Sequence, residues 1–413
     1  MSFGSHDDGP FPRSRARYVL PKLGCAALAA ATAGAVWLAS TAAMRSHNGA
    51  RAVRTGGSST LEPTAPSGAP VPLGAFVGSG AAGVERLAEF EKWLGAPVTV
   101  GHTYLPGETW RGIEGPPNLI RSWGEWRAAD PRRMLVVNVP MLAPNELWMP
   151  DVVVSSLLRG AASGAHDEHF SKLAERLVAA GAPDAVIVLG WEMNGVTYNH
   201  RCAPNPDMWK IYWRRIVTAM RGVEGARFRF DFTPSRGQDA FGWTECYPGD
   251  DVVDFIGMDS YDQPAGKTFA DFVKEPYGLQ AHVDFARAHG KRISFPEWGL
   301  FRNSDNPDYI REMHRWFSSH DVAYQTISDY CPHGIWRCDA NPQSSAVYRA
   351  LFGRLPELPA TPSPAAATSP LADPVPPAGP VPAAGPVLPA VPNPGPPVIP
   401  NVSTSAPSIT VRP

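Results

Sequence analysis

Between Pro72 and Leu355 the chain alternates short apolar runs with longer stretches in which apolar residues recur every three or four positions. Runs rich in Val, Ile and Phe read as buried strands, and the longer recurrence reads as amphipathic helix. The first strand is predicted at 73–77, followed by a helix over 84–94 with Leu87, Phe90 and Leu94 on its inner face. Strands two and three are predicted at 98–103 and 134–139, the latter followed by a helix around 169–180. Strand four, at 185–190, leads to a helix over 208–220, and strand five lies at 228–232. Strand six, at 252–258, precedes a helix over 279–289, and strand seven, at 292–295, a helix over 307–318. Strand eight, at 322–327, is closed by a helix over 344–352.

Eight strand–helix units in about 280 residues match the size and rhythm of an α/β protein of the (β/α)8 TIM-barrel class. An open doubly wound sheet would carry a glycine-rich phosphate loop after its first strand. Gly78-Ser79-Gly80-Ala81-Ala82-Gly83 resembles one on the surface, but the second strand ends in Val100-Gly101-His102-Thr103, with no acidic residue. The barrel is therefore the expected fold, over residues 71–355.

Composition bounds the rest of the chain. Residues 1–22 are polar and basic, and 23–44 form an uncharged, Ala-rich run long enough to span a bilayer. Residues 1–44 thus read as an export signal, cleaved or retained as a membrane anchor. Residues 45–70 form a Gly/Ser/Pro/Thr-rich linker, and 356–413 a Pro/Ala-rich tail with almost no charge, expected to be disordered. The expected location is secreted, or anchored at the outer face of the cell membrane; only an uncleaved N-terminal segment would touch the membrane. A net charge of −2 without a basic block in the barrel excludes nucleic acid as an expected partner. Cys25 opens the apolar run, which leaves Cys202, Cys246, Cys331 and Cys338. In an exported protein an even set suggests disulfides, and three pairings are open. The expected pairs are Cys331–Cys338, a short local loop, and Cys202–Cys246, joining neighbouring loops. No two cysteines have the spacing of a zinc knuckle.

Barrel chemistry sits at the C-terminal ends of the strands. Those ends offer His102 and Tyr104, Asn138, Glu192 with Asn194, Asp231, Asp259 with Tyr261, Glu297, and Asp329 with Tyr330. Glu192 and Glu297 stand where the fourth and seventh apolar runs stop. Glycoside cleavage needs one carboxyl to protonate the leaving oxygen and one ionised carboxylate on the other side of the sugar, about 5 to 5.5 Å away in retaining enzymes. Their environments must push the two acidities apart.

Glu192-Met193-Asn194-Gly195 resembles glycoside hydrolase family 26 of clan A, best known for β-mannanases, together with Pro296-Glu297-Trp298-Gly299 and Asp259-Ser260-Tyr261 in the same order. The resemblance spans the barrel. It implies a retaining mechanism with Glu192 as general acid/base and Glu297 as nucleophile, without a metal or organic cofactor. It implies that Tyr261 donates a hydrogen bond to the nucleophile, that Trp336 forms an aromatic platform under the sugar, and that Tyr198 is a second aromatic of the site. The family usually has His before the acid/base, and this chain has Trp191, which puts mannan specificity in doubt more than hydrolysis.

Other readings compete residue by residue. Glu192 and Glu297 could be structural partners of Arg236 or Arg302. Tyr261, Trp243, Trp298 and Trp336 could be core or rim aromatics instead of sugar contacts. His102 could bind a hydroxyl or be a satisfied structural histidine. His166-Asp167-Glu168-His169 invites a metal reading, but acidic groups opening a helix have a simpler electrostatic reason. The expected activity is that of a monomeric, retaining, endo-β-mannanase-like hydrolase cleaving an extracellular polysaccharide. The alternatives are a non-catalytic carbohydrate-binding or wall-associated barrel, and a transglycosylase of polysaccharide assembly.

Overall fold

A computed structural model describes residues 70–353 of the chain. The expected export segment, most of the linker and the Pro-rich tail lie outside the described residues.

The strands are β1 (Leu73–Phe76), β2 (Val100–Tyr104), β3 (Met134–Val139), β4 (Val186–Leu189), β5 (Arg229–Phe232), β6 (Phe255–Gly257), β7 (Ser260–Tyr261), β8 (Arg292–Gly299) and β9 (Val322–Ser328). All pair in parallel, in the order β6-β5-β4-β3-β2-β1-β9-β8-β7, and a β6–β8 pairing closes the ring. β6 and β7 both lie against β8, at Ile256↔Ile293 and Ser260↔Trp298, so they form one barrel position interrupted at Met258-Asp259. The result is the expected eight-position (β/α)8 barrel.

Helices surround it: α1 (Gly80–Leu94), α2 (Trp110–Ile113), α3 (Pro117–Ala128), α4 (Asp151–Ala162), α5 (Asp167–Ala179), α6 (Pro206–Arg221), α7 (Phe269–Lys274), α8 (Leu279–Ala288), α9 (Pro307–Ser319) and α10 (Pro342–Phe352). The hydrophobic pattern missed α2, α3, α4 and α7. α2 and α7 are too short to show a period. In α4 Val152 and Val153 face solvent beside buried Val154, which blurs the apolar stripe. After β5 there is only a 3-10 turn at Trp243–Cys246, in a stretch broken by Pro234, Gly237, Gly242, Pro248 and Gly249.

Alternation along each strand divides the core in two. Leu135, Val137, Ile187, Leu189, Phe230 and Phe232 point outward into the main core under the helices. Val100, Val136, Val186 and Val188 point inward with Phe255 and Tyr324. Polar residues in phase with this inner set, His102, Asn138 and Asp231, are therefore committed to the barrel interior. The outer layer tolerates little change: a Cβ on Gly101 would sit 2.7 Å from the rings of Trp123 and Trp126.

Both expected disulfides are present. Cys202–Cys246 ties the loop after β4 to the turn after β5, and Cys331–Cys338 closes a short loop after β9. The first spans 44 residues of sequence and removes the more loop entropy from the unfolded chain. Replacing Cys202 and Cys246 together by Ala should lower stability by up to about 4 kcal/mol in urea unfolding. The same change at Cys331 and Cys338 should cost clearly less. Equal losses would show that the loop-entropy account is wrong.

Candidate active site

Glu192 is placed by a chain reversal at the end of β4. Gly190 has φ 61°, and a Cβ there would meet the Met141 sulfur at 2.4 Å. Glu192 itself adopts φ 50°, in the left-handed region that a non-glycine residue enters at a cost. Its backbone N–H donates to the Thr233 carbonyl at 2.9 Å, and its carbonyl accepts from Gly195 N–H at 3.1 Å. Asn194, wholly buried, fastens this loop to the next. Its Oδ1 accepts from Ser235 N–H at 2.9 Å, and its amide donates to the carbonyls of Ser235 and Gly237 at 3.0 and 3.3 Å.

Glu297 is placed by a bulge, and it lies within β8 instead of after it. Phe295 and Trp298 are both outer-core residues, yet three positions apart, and opposite them β9 advances only from Gln325 to Ile327. The extra residue falls at Pro296-Glu297 and turns the Glu297 side chain into the barrel. There Oε2 accepts from the Tyr261 hydroxyl at 2.8 Å and Oε1 from the Asn138 amide at 3.0 Å. Ser328 Oγ lies 2.7 Å from the same phenol oxygen. The phenol spends its proton on the carboxylate, so the serine donates to it. Behind Asn138, His102 Nε2 is 2.8 Å from Asn138 Oδ1.

The electrostatics under the pair are set by burial. Asp259, in the break between β6 and β7, is buried; no side chain donates to its carboxyl group, which lies against the backbone of Glu297. Desolvation raises its pKa well above the ordinary carboxyl value, and the neighbouring Glu297 and Glu192 add to the rise. Asp231 is wholly buried and also raised, by desolvation, although Thr233, Ser294 and Tyr324 donate to it at 2.9, 2.6 and 2.6 Å. Burial and the field of Glu297 likewise push up the phenols of Tyr104 and Tyr261. Burial, Glu192 and Glu297 do the same to Tyr198. These three tyrosines therefore converge on the two glutamates. Trp191 stands among them, its ring 5.6 Å from Tyr104 and 5.0 Å from Tyr198.

Several expected contacts are corrected. Trp298 is wholly buried on the outer face of β8, where its indole N–H donates to Gln325 Oε1 at 2.7 Å. Trp243 is wholly buried under the helices and donates to the Tyr277 carbonyl. Neither presents a face to a sugar. Trp336 packs against Phe90 and Trp93 of α1 with the Arg337 guanidinium over its ring, so it belongs to the helical layer. The cause is Asp329, which accepts from the backbone N–H groups of Ile335 and Trp336 at 2.8 Å each and folds that loop back on itself. His102 is wholly buried behind Asn138 and reaches no substrate hydroxyl. Arg236 pairs with Glu275 and holds the Tyr261 carbonyl, and Arg302 stacks on Phe301. In the first turn of α5, Asp167 pairs with Arg215 and His169 with Glu114.

Sequence reasoning undervalued Asn138. Its period-two phase with Val136 already pointed it inward, and only the register of β3 against β8 across the ring was hidden.

Residues 184–304 match the sequence profile of glycosyl hydrolase family 26. No curated protein matches. Among solved structures, GH26C from Muricauda sp. is similar with TM-score 0.52 and 17% identity, over 70% of this chain and 88% of that one. A Cellulomonas fimi endo-β-1,4-mannanase double mutant gives 0.51 and 18%, over 64% and 65%. The Bacillus subtilis mannanase man26 gives 0.50 and 15%, over 68% and 85%. At these identities the likeness is one of fold.

Burial also gives the site a pH signature. Desolvation lowers His102 to about 4 and His200 to about 3, from 6.5. The unfolded chain then takes up these protons first, so their stability contribution is present above pH 6.5 and fades as pH falls towards 4. Asp231 and Asp259, being raised, act in the opposite direction, so a difference between variants is the informative quantity. His200 Nε2 donates to the Trp191 carbonyl at 2.8 Å, a bond that Gln reproduces without titrating. His200→Gln should therefore lose on the order of 3 kcal/mol less than the parent between pH 6.5 and pH 4. Parallel unfolding curves for the two proteins across that range would contradict the assignment.

Proposed function

We propose, from the match of residues 184–304 to the glycosyl hydrolase family 26 profile, a retaining β-glycoside hydrolase of mannanase type that cleaves an extracellular polysaccharide internally. The observation that carries this reading is Glu297, fixed at both oxygens by Asn138 and Tyr261 on the inside of a barrel whose fourth strand delivers Glu192. Donors to a carboxylate favour its ionised form and hold it in one orientation, as a nucleophile requires. Glu297 attacks the anomeric carbon while Glu192 gives its proton to the departing glycosidic oxygen. Glu192, now ionised, takes a proton from water. That water attacks the glycosyl ester, and Glu297 leaves as carboxylate with the anomeric configuration retained. The enzyme works as a monomer, exported or anchored outside the membrane.

The rim supports a polymeric substrate. Leu147 and Trp148, in the loop after β3, are 68% and 69% exposed. Their loop is not loose: Asn199, from the loop carrying Glu192, donates to the carbonyls of Pro144 and Leu147 at 2.6 and 2.5 Å. Glu146 in the same loop acts electrostatically on Tyr198, which puts this segment beside the site. An indole face held there offers stacking to a sugar ring beyond the cleaved bond.

Glu297→Ala should lower turnover of β-linked mannan, or of whichever β-linked xylan or glucan the protein accepts, by about a thousandfold or more. A mechanism-based fluoroglycoside should label Glu297 in the parent, and NMR should show the first-formed product with retained configuration. Full activity in the variant, or inverted product, would remove the proposal. Predominant transfer to acceptor sugars would redefine the enzyme as a transglycosylase. Trp148→Ala should reduce kcat/KM on polymer about tenfold and leave a short aryl glycoside unaffected. Equal losses on both substrates would rule out a distal role.

A further inference from the structure

The three side chains behind the nucleophile form a directed chain, because with His102 neutral in its buried position only one arrangement of their protons is consistent. Glu297 Oε1, as carboxylate, only accepts, so the Asn138 amide faces it with N–H at 3.0 Å. The Asn138 oxygen is then turned to His102, 2.8 Å from Nε2, and that nitrogen must carry the proton. Nδ1 is left as the acceptor, and the Thr326 hydroxyl lies 3.0 Å from it. Thr326 also donates to the carbonyl of Pro296, the bulge residue that turns Glu297 inward. Its single proton is shared between two acceptors, so the far end of the chain touches the backbone that carries the nucleophile. The other imidazole tautomer would invite the Asn138 amide to flip, which would set its oxygen against the carboxylate. All three members of the chain, His102, Asn138 and Thr326, are wholly buried.

We propose that His102 and Asn138 are positioning residues of the nucleophile: His102, as the Nε2–H tautomer, fixes the amide orientation through which Asn138 holds Glu297. This rests on the assignment of Glu297 above. It reassigns the strand-two histidine from touching substrate to acting through another residue. The consequence is separable from structural support, because what matters is a donor at the position of Nε2 and not the bulk of a ring.

The test uses the full-length protein. His102→Asn keeps a polar group near Thr326 but does not reach Asn138; kcat should fall about tenfold to a hundredfold with KM within about twofold, the size of one hydrogen bond to a charged group. His102→Gln extends an amide N–H to the Nε2 position and should restore most of the loss. In a double-mutant cycle, His102→Asn added to Asn138→Ala should cost nothing further, since the histidine acts only through the amide. Additive losses, a change confined to KM, or failure of Gln to rescue a folded protein would overturn the proposal. Nitrogen NMR of the parent protein should report His102 as the neutral Nε2–H tautomer at pH 7, a measurement independent of any activity. The Nδ1–H tautomer would refute the positioning chain even if the glycosidase assignment held. The expected tautomer in a protein inert towards glycans would overturn the enzymatic reading alone.

Discussion

One inserted residue decides on which face of the barrel Glu297 lies. A strand shows successive side chains to opposite faces, and Phe295 and Trp298 both need the outer face, where they pack under α9 and α10. Without the bulge, and with Phe295 outward, Glu297 would turn outward and Trp298 inward. Pro296 is compatible with a bulge because it offers no N–H to the ladder. β9 takes up the opposite irregularity a few residues earlier, between Val322 and Gln325, so the two strands regain register by Ile327. Tyr324, Thr326 and Ser328 are thereby left pointing in, towards Asp231, His102 and Tyr261. The inward placement of Glu297 and of the hydroxyls that surround it follows from a single adjustment between two neighbouring strands.

The same interior faces an electrostatic problem. Asp231 and Asp259 lie inside the ring with Glu297 above them, and Arg236, the nearby cation, is directed to Glu275 and to backbone carbonyls. Burying several charges of one sign is far more costly than burying neutral acids. Burial accordingly raises the pKa of both Asp231 and Asp259, which disfavours their charged forms inside the ring. The hydroxyls of Thr233, Ser294 and Tyr324 offset part of that cost at Asp231 by donating to its carboxyl oxygens.

The fold was legible because period two and period 3.6 alternate so regularly between Leu73 and Phe352. The two glutamates were legible because each ends an apolar run. What stayed hidden depends on three dimensions. Tryptophan is equally suited to a sugar platform and to a core, and the sequence alone does not say that the phase of β8 sends Trp298 outward. It does not say either that Asp329 captures the backbone of Ile335 and Trp336 and so draws Trp336 away from the mouth. His102, at a strand end, has the sequence position of a possible hydroxyl ligand. Its position behind Asn138 depends on the β2–β3 register, which pairs His102 with Val136 and Tyr104 with Asn138.

Trp191 shows how local substitutions are absorbed at such a site. Its indole is 4% exposed and held between the rings of Tyr104, Tyr198 and His200, and its carbonyl is fixed by His200. A histidine at this position, as the family resemblance leads one to expect, would bring a polar group capable of donating to a sugar hydroxyl. The indole brings a larger apolar wall instead, and two tyrosines crowd against it. In the proposed mechanism the reaction depends on the bonds that Asn138 and Tyr261 make to Glu297, and neither involves Trp191. Under the same proposal, selectivity among sugars depends on the groups offered beside Glu192, where this position supplies a buried indole in place of an imidazole. On that proposal the chemical step and the choice of sugar are carried by different residues of the barrel, so the second can diverge while the first is kept.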